Sequence, residues 1–466
     1  MKNTIRKITA LTLAVMTLCG GVSCGKNKPE EISDSQEKEE NVDTSEKETL
    51  TIAVTEQISD ISEYVRRFNL KDEPYEINLV NYSLLSEDSD NEFYSDAFNQ
   101  LKMDLVSGEK IDMVILKPED MYAMAKNGYL ADLYEVMDNN DGLKKEEFLP
   151  NVLEGLEFEG KLPAVCESFW ILTAVAKESN IGGDMANWTL DEAIDFYNSI
   201  PEDSDLIYEM WASMEDGVLW GGNTLENFIM RRIVRDCIDL PGGTCEFGDT
   251  FRKAVEFLEG KDLVKSNIIQ DPNSDVNVNA WSLINDKAFF NCTMIAGFNA
   301  FLTQEVCTVF GGEDITYVGY PSESGCGAIT EAGILWGITA NSEMKDEAWD
   351  LICQRLENGN DSDAVPVLTE KLEKDASSKG TTDNWALRKP QQLPYPEQGK
   401  LVTISDETVQ KTLDYIKSIR FEPYYASEAE AIVCEEYHAV LAGEKTLDEC
   451  VEVLENRISI YLSEKS

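Results

Sequence analysis

Two apolar runs with a three-residue break between them constrain this chain more than any other feature. Lys161–Val165 is a short run after a glycine turn, and Phe169–Ala176 is a second run rich in apolar and β-branched residues. The second is long enough for a buried strand. Cys166-Glu167-Ser168 is the only polar interruption. After a Gly-Gly turn, Trp188-Thr189-Leu190-Asp191-Glu192 begins a helix, with Thr189 and Glu192 spaced for a capping box. This pattern predicts that the chain leaves one lobe and enters a second here, with Glu167 at the crossing and facing the cleft.

The flanking segments supply the rest of each lobe. Leu50–Val54, Tyr75–Tyr82 and Ile111–Leu116 read as strands, Asp112 being the one charge in the third. Helical periodicity falls between and after them, in 60–68, 91–106 and from Pro118 to the stop at Gly128. Strand–helix alternation of this kind gives an α/β lobe with a mainly parallel sheet. A helix-rich stretch follows from Thr189 to about Lys265. Strands are predicted at 288–293, 315–320 and, as one piece, 329–339, with helices at 294–305 and 345–356. Three helices close the chain, at 406–418, 427–442 and 446–462, the last two opening with Ser427/Glu430 and Thr446/Glu449 pairs.

The first residues belong to export and not to the fold. Lys2, Arg6 and Lys7 precede an apolar core over Ile8–Leu18, too short for a permanent membrane helix. Gly21-Val22-Ser23-Cys24 resembles a bacterial lipobox, which marks Cys24 for lipidation. Residues 25–48 are polar and acidic and read as a disordered tether. The remaining length exceeds what one core usually reaches, so two lobes are expected.

A formal charge of −48 excludes nucleic acid as a partner and disfavours anionic lipid surfaces. With Cys19 in the leader and Cys24 lipidated, an odd number of the 11 cysteines remains, without CxxC or metal spacing. Cys237 and Cys245 could bridge a hairpin-like loop. The only histidine, His438, lies mid-helix with no nucleophile motif around it, which leaves no Ser-His-Asp or zinc chemistry. Asp138–Gly142 and Asp271–Asn279 miss the calcium-loop pattern at its glycine. The glycine clusters lack the context of a phosphate loop. No cofactor or metal is expected. A glycosidase carboxylate pair is the alternative of another class, but in a chain with 88 Asp and Glu a pair carries little information. Aromatics near element junctions are more distinctive: Trp170, Trp188, Trp211, Trp220, Trp281, Trp336, Phe298, Tyr320, Tyr424 and Tyr425. Such rings can stack on sugar faces while carboxylates and amides bind the hydroxyls.

Four stretches in this order resemble the extracellular solute-binding proteins of bacterial ABC importers (family 1, which includes the maltose-binding protein). They are Gly108–Ile115 with Ala125–Leu133, Lys161–Glu192, Ile315–Trp349 with YVGYP, GILWGITANS and KDEAW, and Ala442–Tyr461. The resemblance implies an α/β, two-lobed periplasmic-binding-protein-like fold (type II) with hinge crossings and a helical C-terminus. Lobe one would take about 49–166 and 317–358, lobe two about 170–315 and 359–466. It further implies a monomeric, non-enzymatic lipoprotein at the extracellular face of the cell membrane. Such a protein closes on a small solute, most simply a carbohydrate, and delivers it to permease subunits; a binder or sensor of a non-sugar solute is the alternative. Carried onto this chain, the binding residues would be Glu167, Glu119 or Asp120, Phe298, Tyr424 and Tyr425, and the junction aromatics Trp170 and Trp336 join them as candidates. The first-lobe tryptophan of the maltose site is replaced by Leu116, which argues against maltose itself.

Overall fold

The computed structural model describes residues 47–55, 59–85, 93–181, 188–207, 224–261, 281–323, 327–359, 364–377, 391–392, 400–423 and 427–465. Cys24, most of the tether, Trp211, Trp220, Asp271–Asn279, Tyr424 and Tyr425 lie outside them. The strands are β1 (Glu48–Val54), β2 (Tyr75–Asn81), β3 (Met113–Leu116), β4 (Val165–Cys166), β5 (Ser168–Lys177) and β6 (Asp205–Ile207). A small hairpin supplies β7 (Ile238–Asp239) and β8 (Thr244–Cys245). Then come β9 (Ala288–Ile295), β10 (Ile315–Tyr317), β11 (Ile329–Ala332), β12 (Leu335–Ile338) and β13 (Val365–Pro366).

The first sheet runs β2-β1-β3-β12-β4. β1 pairs parallel with β2 and β3, and β12 closes antiparallel on β3 and β4. Leu50 to Val54 are all buried, as expected of a parallel strand covered on both faces. Asp112, fully buried, ties the strands together. Its carboxylate accepts from the Thr51 backbone N–H (2.9 Å) and from Ser342 Oγ (2.8 Å). The polar interruption predicted in that apolar run is therefore a buried acceptor with its donors supplied. Helices Ser59–Asn69, Pro118–Lys126 and Lys345–Asn358 accompany this sheet. Gly128 follows the second at φ +70°, a left-handed stop that suits glycine.

The second sheet runs β10-β5-β9-β6, with β11 and β13 also on β5. β5 is its spine, pairing antiparallel with β9, β10, β11 and β13. Helix Leu225–Asp236 lies on one face, with Phe228 5.4 Å from Phe290 and 6.4 Å from Tyr320 between ring centroids. Trp188 packs edge-on against Phe290 at 5.2 Å. Thr189 and Glu192 form the expected capping box, and Thr446 and Glu449 exchange the same bonds.

Three expectations change. Residues 329–339 do not form one strand: β11 belongs to the second sheet and β12 to the first, with the switch at Gly333-Ile334. Gly333 donates its N–H to the Ser168 carbonyl (2.8 Å), and Glu167 donates its own to the Ile334 carbonyl (3.2 Å). The outward and returning crossings thus run side by side. A Cβ on Gly333 would sit 2.9 Å from the Ser168 oxygen, so the approach depends on glycine. The return also comes later than about 317, because Tyr317 pairs with Val175 in the second sheet. The helix expected over 294–305 begins only at Phe298 and continues as a π-helical turn, Thr303–Val309. No helix among the described residues is long and apolar enough to cross a membrane.

Candidate functional site

Both crossings leave the first sheet where the parallel strands β1 and β3 end. Leu335, the first residue of β12, faces Leu116, the last of β3, and also Cys166, the last of β4. In α/β proteins this carboxyl edge is where ligands gather. Glu167 sits on it, and three hydrogen bonds hold its carboxylate within the protein. Oε1 accepts from Trp336 Nε1 (2.8 Å) and Arg355 Nε (2.8 Å), and Oε2 accepts from Arg355 Nη2 (2.9 Å). The Arg355 guanidinium also lies over the rings of Tyr64 (4.8 Å) and Trp336 (5.9 Å). A two-pronged, partly buried pair of this type is far stronger than a surface ion pair. Glu167 therefore stands in the structure as a clamp between the crossing and helix Lys345–Asn358.

A second charged cluster lies on the helix Leu225–Asp236. Thr224 caps it by accepting from the Asn227 N–H (3.1 Å). Arg231, Arg232 and Arg235 are all buried. Buried guanidinium groups need carboxylates. Arg232 donates to Asp236 (2.6 and 2.9 Å) and to Glu422 (2.6 and 3.0 Å). Burial raises the Asp236 carboxyl against the pull of Arg232. Burial works the same way on Glu422, but Arg232 and Arg420 outweigh it and leave that carboxyl below its ordinary value. Arg235 donates to Glu430 (2.9 Å). The Arg231 guanidinium stands 6.0 Å from the centre of the Tyr320 ring. A cavity of ≈ 790 Å³ borders this cluster, walled by Tyr122, Asn151 and Glu154 on one side and by Arg232, Asp236 and Glu422 on the other.

Beside the crossings one face of the second sheet stays partly open. Side chains two apart on a strand share a face, and directly paired residues on neighbouring strands do too. Trp170 and Leu172 of β5 are half-buried, whereas Phe169, Ile171 and Thr173 on the opposite face are buried. Trp170 pairs with Glu331 of β11 and Leu172 with Met294 of β9, which is 46 % exposed. Further along the same face Cys292, paired with Ala174, lies under the helix that carries Arg231. Helix Leu225–Asp236 thus covers one end of the face and leaves the end near the crossings open.

The expected binding residues separate into groups. Glu167 and Trp336 are brought together, but by bonding to each other, and Trp336 is fully buried. Phe298 is 2 % exposed, packed in the core of the second sheet's side. Neither ring presents a surface to a cleft, because each fills space that the packing requires. Glu119 and Asp120 are half-buried in the first turn of helix Pro118–Lys126, near the phenol of Tyr461. Trp170 stands on the open face. Tyr424 and Tyr425 lie outside the described residues. His438 pairs with the buried Glu226, which also accepts from Tyr437 Oη (2.5 Å). Cys237 and Cys245 are free thiols, not a bridge. Sequence reasoning passed over Glu331 and the three arginines. Their signal was present: one acid within Ile329–Thr339, and FIMRRIVRD, a helix too apolar to leave its arginines in solvent.

No protein-family model matches the sequence, and no curated protein matches it. Solved structures do. An extracellular solute-binding protein family 1 structure from Alicyclobacillus acidocaldarius is 14% identical, covering 89% of this chain and 98% of that one at a TM-score of 0.50. The sugar-binding protein MalE from Xanthomonas citri is 13% identical, covering 90% and 98% at 0.51. A structure described as a de novo designed esterase improved by directed evolution is 12% identical, covering 90% and 99% at 0.51. This is an α/β protein built around two main sheets, with the two-lobed architecture of those structures. The chain has the fold seen in the family 1 extracellular solute-binding proteins, as the sequence resemblance implied.

Proposed function

We propose that this protein is the extracellular solute-binding component of an ABC importer, and that it captures a carbohydrate between its two lobes. The observation that carries this reading is the joint presence of that fold and the half-open face at the crossings, where Trp170, Leu172 and Met294 form an apolar platform next to buried charge. A sugar has this dual character, with apolar ring faces and a rim of hydroxyls. The Xanthomonas citri MalE structure, described as a sugar-binding protein, agrees with it. Lobe one is 47–166 with the segment returning at Gly333, and lobe two holds the second sheet. Trp170, Glu119, Asp120, Tyr424 and Tyr425 are the proposed contacts. Lipidation of Cys24 holds the protein at the outer face of the membrane, and the two lobes together dock on permease subunits.

Titration calorimetry on the full chain, with neutral oligosaccharides set against amino acids and short peptides, tests the reading. Saccharide binding with micromolar affinity is expected. Heat from peptides or amino acids alone would replace the carbohydrate assignment. Metabolic labelling with a fatty-acid analogue, present in the native chain and absent in Cys24→Ala, tests the anchor.

A further inference from the structure

Glu331 is placed unlike any other carboxylate of the cluster. Its Oε1 atom is buried, and no hydrogen bond reaches it. The nearest cation is Arg235, whose Nη2 stands 3.9 Å away, beyond hydrogen-bonding range. Arg235 has its close partner elsewhere, in Glu430 at 2.9 Å, with both of those side chains almost fully buried. Glu331 keeps a fifth of its side-chain surface open (20%). It stands directly across from Trp170, on the strand that enters the returning crossing. Leu172 and Met294 continue the same face.

A carboxylate whose role was purely structural would close on its guanidinium, as Glu422 and Glu430 do. Glu331 is instead held at the edge of ion-pair distance, short of a hydrogen bond. Burial raises its carboxyl above the ordinary range, with Arg235 and Arg231 only partly opposing the shift. The fold therefore carries this acid at a cost to stability, a pattern that binding residues show.

We infer that Glu331 is a ligand-binding carboxylate, which accepts hydrogen bonds from hydroxyl groups of a polyhydroxylated solute lying against Trp170. The inference rests on the solute-binding reading and adds a residue and a chemistry to it. Arg231 and Arg235 supply nearby positive charge that favours the ionised acid. Because each good charged hydrogen bond contributes strongly when water is excluded, loss of this acceptor should be costly to affinity.

The test uses the full chain, its Glu331→Gln variant, and maltotriose, cellotriose and xylotriose as probes. Affinity is read by calorimetry and stability by the thermal midpoint without sugar. For any probe the native protein binds, Glu331→Gln should weaken binding about tenfold or more, while its midpoint rises. Unchanged affinity overturns the inference, and so does a midpoint that falls, because a fall assigns Glu331 to the ion-pair network. If the native protein binds none of the three probes, the carbohydrate reading fails, and the midpoint alone then decides the residue. A rise still marks an acid kept at the expense of stability for a different hydroxylated solute. An unchanged or lower midpoint overturns the assignment.

Discussion

Arg355 grips Glu167 through two hydrogen bonds, at 2.8 and 2.9 Å, where the chain passes between its two sheets. The two residues are 188 positions apart. With Trp336 Nε1 as a third donor, the pair joins the outgoing crossing to the first strand after the return. A crossing held by such a clamp has a defined geometry.

Breaking the clamp should be costly. Arg355→Met leaves a largely buried carboxylate short of donors, and unfolding in urea should show a loss of about 2 kcal/mol. Combining it with Glu167→Gln should recover part of that loss, with a coupling of at least about 1 kcal/mol in a double-mutant cycle. Additive losses would show that the two side chains do not act as a unit.

Glu305 makes stability depend on pH. It is 2 % exposed in the π-helical turn, and burial lifts its carboxyl from 4.5 to about 7, against hydrogen bonds from Asn291 and Thr293. The folded value lies above the unfolded one. Its stabilising contribution is therefore complete below pH 4.5 and is lost as pH rises through about 7. Relative to Glu305→Gln, the native protein should lose on the order of 1–3 kcal/mol between pH 5 and pH 8. Parallel denaturation curves at the two pH values would contradict this.

The thiols of the β7–β8 hairpin are free and differently placed. Cys237 is 8 % exposed and its thiol is pushed up by burial, whereas Cys245 is half-buried. Iodoacetamide should modify Cys245 in the native protein well before Cys237, and both fully after unfolding without reductant. Resistance of both to alkylation after unfolding would indicate a bridge.

Gly333 permits the two crossings to touch. In Gly333→Ala the new methyl meets the Ser168 carbonyl, 2.9 Å away, and the bonds between 167–168 and 333–334 must stretch. A loss of roughly 1–3 kcal/mol is expected by chemical denaturation, together with altered affinity for whichever solute binds. A variant indistinguishable from the native chain would mean that the crossings tolerate separation.

Much of the fold was legible because its causes are local. The apolar runs at 50–54, 75–82 and 111–116 appear as β1 to β3, and helical periodicity placed the helices between them. Thr189/Glu192 and Thr446/Glu449 cap their helices because donor and acceptor lie within one turn. The split of 329–339 was not legible, because an apolar run records burial and not the sheet in which the strand is buried. The site was harder still. Glu167, Trp336 and Phe298 have the residue types of a sugar site, yet the structure gives each a role in packing. Glu331 carries no motif.

Local sequence fixes where many of the strands and helices form, how several helices begin, and that the chain crosses from one sheet to the other near Glu167. Those outcomes depend on hydrogen bonds and periodicities spanning a few residues. Only the tertiary structure decided that Glu167 is held by Arg355, that the return falls at Gly333, and that Glu331 faces Arg235 without reaching it. The partners in each case come from segments far apart in the chain. The distance that separates a clamp from a waiting carboxylate, about an ångström, is set by the packing of whole helices on sheets.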